Sequence, residues 1–232
     1  GGSGDITLTS GAAINWASAN SLTLNADRRI VMSGASITST STTGGNVTLN
    51  ARNTSGGAAL YLPGYDGAID LRNSQITTNG GAIVLNANVD NSITGDFAGV
   101  VVGNDGTPSS ITSTSGAITI TGRGGDQFSD NDGVLLWEGT IRSSTGNITL
   151  IGTGGPGGAG EGVNVYKSVI QSTGVGLNAA KISLQGTTVP TGTAYSIVQN
   201  VNSSITSVDG NIELIGSATD PNYHYEIGRA HV

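Results

Sequence analysis

One short phrase, aliphatic–x–aliphatic introduced by glycine, keeps returning along this chain. It reads GGNVTLNA at Gly44–Ala51, GGAIVLNA at Gly80–Ala87, GAITITG at Gly116–Gly122, GNITLIG at Gly146–Gly152 and GNIELIG at Gly210–Gly216. A chain that repeats its phrases repeats its architecture, and a period of tens of residues means a solenoid, a propeller or an array. Counted from Ile6, Leu22, Val47, Ile83, Ile118, Ile148, Ile182 and Ile212, successive phrases are 16, 25, 36, 35, 30, 34 and 30 residues apart.

Two further phrases alternate with the first. A second carries Ile69/Leu71, Val100/Val102, Val134/Leu136, Val163/Val165 and Tyr195/Ile197. A third is Ser/Thr-rich around one aliphatic: Ile76, Ile111, Ile141, Ile170 or Ile205. The period of two puts the aliphatics on one face and Thr, Ser or Asn on the other, as in a half-buried strand. Helical periodicity is absent. Gly, Asn and Asp at the joints suit the left-handed conformations of tight bends. Three strands and three bends fill about 30 residues, because a strand rises about 3.3 Å per residue. Equivalent phrases then stack in parallel, about 4.8 Å apart. The expected fold is all-β: a right-handed parallel β-helix of about seven coils with three short strands each, its hand following the crossover preference. A propeller blade needs four antiparallel strands and a longer period.

Composition narrows the partners. Lys and Arg number 9 against 16 Asp and Glu, for a formal charge of −7 without a basic run. That argues against nucleic acid and anionic membrane as partners. There is no cysteine, hence no disulfide or thiolate chemistry, and no apolar run of membrane-spanning length. With 4% aromatic residues, the core is expected to rest on many small aliphatics in register.

Residues 1–225 read as one β-helix segment of a longer repetitive protein. The tail EIGRAHV, Glu226–Val232, breaks the pattern. It is similar to what sequencing-adapter DNA encodes in frame, so it is expected to be non-native and His231 gets no functional weight; His224, just before it, gets little.

The stretch Ala12–Ala51 orders Ile14 and Trp16, then Leu22 and Leu24, then Ile30, Met32 and Ile37, then Gly44, Gly45, Val47 and Leu49. This order resembles filamentous haemagglutinin-like adhesins, large Gram-negative exoproteins exported by two-partner secretion. Residues 60–220 look like the bacterial β-strand repeats of the same proteins. The resemblance implies a secreted or cell-surface location, export through an outer-membrane transporter, and attachment to a host or surface glycan or protein receptor. It implies a non-catalytic role, with no cofactor, no metal and no membrane insertion.

The alternative class is a carbohydrate-active β-helix, a polysaccharide lyase or hydrolase, which needs clustered carboxylates beside one face. The candidates are Asp90 and Asp96, then Asp126, Asp130 and Asp132, then Glu161. Asp132 and Glu161 precede equivalent glycines, Gly133 and Gly162, and are expected in adjacent coils. No such cluster is joined by a suggestive Arg or His, and a solvated acidic loop edge is the simpler expectation. DQFSDNDG (Asp126–Gly133) misses the calcium-loop spacing, with Phe128 and Gly139 where ligands would stand. The outward rows mix Thr9, Asn25, Asn50, Asn86, Thr121, Ile151, Gln185 and Ile215, too irregular for an ice-binding array.

A third reading is a glycan-binding module. Trp137 follows Leu136 and Tyr166 follows Val165, so both are expected to point outward from adjacent coils with their rings side by side. Glu138 and Lys167 lie beside them as an ion pair. Trp137 and Tyr166 are the candidate ligand-binding residues, with cross-strand packing as the competing role.

Overall fold

The computed structural model describes residues 4–53, 59–62, 66–128, 130–156, 159–189 and 194–218. The tail 226–232, with His231, and His224 lie outside the described residues.

Three parallel sheets of seven strands enclose one apolar core. The second-phrase face runs from Asp5–Leu8 through Arg29–Ser33, Gly67–Arg72, Ala98–Val102, Val134–Trp137 and Val163–Tyr166 to Ile197–Gln199. The third-phrase face runs from Ala13–Trp16 to Ser204–Ser207, and the first-phrase face from Leu22–Ala26 to Ile212–Ala218. Each coil takes one strand from each face in that order, giving the seven coils of three strands of a parallel β-helix.

Register follows from burial, since slipping a strand by one residue would turn its aliphatics to solvent. Ile37, Ile76, Ile111, Ile141, Ile170 and Ile205 pair coil upon coil. So do Leu24, Leu49, Leu85, Ile120, Leu150, Leu184 and Leu214 on the first-phrase face. Between the two ends these side chains are fully buried. Phe97 is the largest of the enclosed side chains, at the corner where the loops also pair Leu60–Tyr61 with Gly95–Asp96.

Two phrase assignments change. Ile6 and Leu8 belong to the second-phrase face, paired with Ile30 and Met32. The 16 residues from Ile6 to Leu22 are too few for a coil, and the first coil instead closes over the 24 from Ile6 to Ile30. In the last coil Ile197, not Tyr195, lies on Val163. Tyr195 precedes the strand and is exposed.

The bend from the second- to the third-phrase face uses a left-handed residue in successive coils. Gly34, Asn73, Gly103, Glu138 and Lys167 have φ of 66°, 46°, 80°, 61° and 48°. Glycine and asparagine suit this conformation; Glu138 and Lys167 take it at a cost of roughly 1–2 kcal/mol each. On the third-phrase face an inward row of Ser39, Thr78, Ser113, Ser143 and Ser172 lies beside the aliphatics and is buried. Thr78 Oγ1 donates to the Gly81 carbonyl at 2.6 Å.

Candidate functional site

Trp137 and Tyr166 are direct parallel partners at the ends of their strands. Their ring centroids are 5.4 Å apart and the planes meet at 78°, edge to face. The rings are therefore not the flat side-by-side pair that alternation alone suggests. Edge-to-face packing suits the ring quadrupoles. Both side chains are half-buried. Trp137 packs on Ala98, Val101 and Leu135, an apolar patch separate from the main core. Val101 and Leu135 stand in adjacent coils at middle positions of the second phrase, between the polar Asp70 and Asn164 at the same position of the flanking coils. The identity of these two residues was the available signal that the patch needs a cover.

The ion pair beside the rings forms as expected. Lys167 Nζ is 3.4 Å from Glu138 Oε1 and 4.0 Å from Asp105 Oδ1. It also lies 5.3 Å from the centre of the Tyr166 ring. Glu138 Oε2 accepts the Gly106 N–H at 3.0 Å. Pairs this exposed contribute about 0–1 kcal/mol. Their effect is to fix the two left-handed bends beside the aromatics.

Of the acidic candidates, the structure brings Asp132 and Glu161 together. Asp132 is 1% exposed. It accepts the Glu161 backbone N–H at 2.8 Å and the Asn164 amide at 3.1 Å. Burial holds its carboxyl well above the ordinary carboxylate range, and the hydrogen bond and negative charge of the Glu161 side chain push the same way. Asp96 is also raised, by burial, with a smaller push from the charge of Asp130 against a hydrogen bond from Asn131. Asp126 Oδ1 caps the Gly95 N–H at 2.8 Å. Asp90 stands apart, 4.0 Å from Arg52. Its carboxyl is lowered, first by the Ser92 hydroxyl. Among the described residues, no three His, Asp or Glu side chains come together as a metal-holding group.

Chemically, a carboxyl with a raised pKa beside a second acidic side chain is an arrangement that proton transfer uses. At 1% exposure, what Asp132 reaches is the neighbouring coil: its two hydrogen bonds tie its own loop, before Val134, to the Glu161 backbone and the Asn164 side chain of the next coil.

Two arrangements were not drawn from the sequence. Asp70, fully buried on the outer side of its sheet, receives Arg29 Nη2 and Arg72 Nη2, each at 2.7 Å. Asp66 joins both arginines. The signal was a lone outward Asp between Ile69 and Leu71, facing Val31 in the next strand. The second is an amide ladder: Asn50 Nδ2 donates to Asn25 Oδ1 at 2.8 Å, and Asn86 Nδ2 to Asn50 Oδ1 at 2.9 Å.

Comparison with protein-family models, curated proteins and solved structures finds no match for this chain.

Proposed function

We propose that this chain is a rigid, non-catalytic segment of a large secreted or surface-held Gram-negative adhesin, exported through an outer-membrane transporter, that holds or presents a receptor-binding surface. The observation that carries the reading is the unbroken register of three seven-stranded sheets around one core. Such a solenoid resists bending and local unfolding, because each coil is bonded to its neighbours along three faces. The residues of the adhesin-like phrase add support. Ile30, Met32, Ile37, Val47 and Leu49 lie in the buried core of the second coil, and Ile14, Trp16, Leu22 and Leu24 of the first coil pack against it, half-buried. In this reading Trp137 and Tyr166 are a contact for a receptor glycan or protein.

The test is attachment. Surface-immobilised protein is offered host epithelial cells and a glycan panel, and incubated separately with acidic and neutral polysaccharides. The adhesive reading expects retention of cells or glycans, weakened when Trp137 and Tyr166 are both changed to Ala, and no release of reducing or unsaturated ends. Release of product would overturn it.

The carbohydrate-active reading has one observation in its favour, the raised Asp132 carboxyl beside Glu161. It expects product release that Asp132→Asn abolishes.

A further inference from the structure

At the corner between the first- and second-phrase faces, a groove of about 1040 Å³ crosses the first three coils. Its origin is a step in loop length. The first coil turns this corner between Ala26 and Arg29. The next two leave their strands at Ala51 and Ala87 and re-enter the second-phrase face only at Gly67 and Ala98. The recess is lined by Asn25, Asn50 and Asn86, with Asp27, Arg52 and Asp90 alongside.

The asparagines are the ladder already described. A carboxamide has two N–H donors and two acceptor lone pairs. The middle rung, Asn50, commits one of each to its neighbours and retains one of each. Because the ladder bonds fix all three amides in one orientation, the same donor–acceptor pair recurs once per coil, about every 4.8 Å.

We propose that this groove binds a neutral polysaccharide lying along the solenoid axis, one sugar unit to each asparagine rung. The repeat selects the polymer. One unit of an extended glycan is about as long as a coil is high, whereas an extended peptide advances about 3.3 Å per residue and falls out of step. The amides select hydroxyls, since a donor and an acceptor side by side satisfy neighbouring hydroxyl groups that both donate and accept. The charges select neutrality. Asp5, Asp27 and Asp90 line the groove, with Arg28 paired to Asp5 and Arg52 4.0 Å from Asp90, so the groove holds no excess of positive charge to attract an acidic glycan. Val89, 53% exposed on the same wall, offers an apolar edge to the C–H face of a sugar. The inference gives the adhesive reading a ligand class and rests on it for biological setting.

The experiment is titration calorimetry of the whole chain with cello-, xylo- and manno-oligosaccharides of two and six units, and with oligogalacturonate as the acidic comparator. At least one neutral hexamer is expected to bind, at least about tenfold more tightly than its dimer. Asn50→Ala should weaken binding at least about tenfold. Val89→Arg, an exposed change that leaves the ladder intact, should block the groove with an unchanged melting temperature. The proposal is overturned if no neutral hexamer binds, if oligogalacturonate binds in preference, or if both variants bind like the parent. Glycan binding without cell attachment would sink the adhesive reading and leave the groove standing; cell attachment without glycan binding would do the reverse.

Discussion

Gly146 lies against the carbonyl oxygen of Gly116, its counterpart one coil earlier, so closely that a β-carbon on Gly146 would overlap that oxygen. The neighbour in the way is backbone, which cannot swing aside as a side chain can. Gly146→Ala is therefore expected to lower unfolding free energy by at least about 1–3 kcal/mol, read as a lower denaturant midpoint. The sixth coil has Ala180 at the equivalent position. There the corner is longer and carries a one-turn helix, Gly176–Asn178.

Asp132 gives stability a specific pH dependence. Its carboxyl is raised in the folded chain by burial and by Glu161, so the folded state holds the proton more tightly than the unfolded one. The contribution is fully present below the ordinary carboxylate value of about 3.9 and is lost as pH rises through the raised value. Asp132→Asn removes the titration. The stability difference between parent and variant should move in the variant's favour by up to about 1.4 kcal/mol per pH unit within that window. Equal slopes across a series of urea unfolding curves would contradict it.

The buried ion cluster separates costly charges from cheap ones. Asp70→Ala removes the buried carboxylate that Arg29 and Arg72 reach at 2.7 Å and leaves them Asp66 alone; it should cost about 1–3 kcal/mol. Arg52→Ala breaks an exposed pair at 4.0 Å and should cost no more than about 1 kcal/mol. Thermal unfolding of the two variants side by side checks the contrast.

For the aromatic pair, a double-mutant cycle with Trp137→Ala and Tyr166→Ala should give a coupling energy of about 0.5–1.5 kcal/mol, the value of edge-to-face rings. Zero coupling would mean that the rings do not touch in solution.

These residues also show how far the sequence could be read. Ile118 over Ile148, and Trp137 beside Tyr166, follow from period-two alternation and equivalent phrases, because a parallel solenoid turns sequence period directly into contact. Ile6 was misplaced because its phrase looks like a first phrase. What assigns it is coil length, and only the pairing with Ile30 fixes that. The ring angle was not legible, since it depends on how Trp137 settles over Val101 and Leu135. The Asp70 cluster needed Arg29 from the preceding coil, across an interval of 39 residues from Ile30 to Ile69 that no phrase spacing announced. Asn25, Asn50 and Asn86 stood out as outward positions, but the recess beside them is set by loop lengths at the corner.

The most direct measurement of the stacked coil order uses the absence of native cysteine. Thr119 pairs with Thr149, and beyond it stand Ser183 and Glu213 at the same position of later coils. Neighbouring strands lie about 4.8 Å apart, within the span a disulfide bridges at about 4.4–6.8 Å between α-carbons. Under mild oxidation the double variant Thr119→Cys/Thr149→Cys should close an intramolecular disulfide in the folded protein, and Thr119→Cys/Glu213→Cys should not. Failure of the first pair to close while the second closes would contradict the coil order on which every site described above depends.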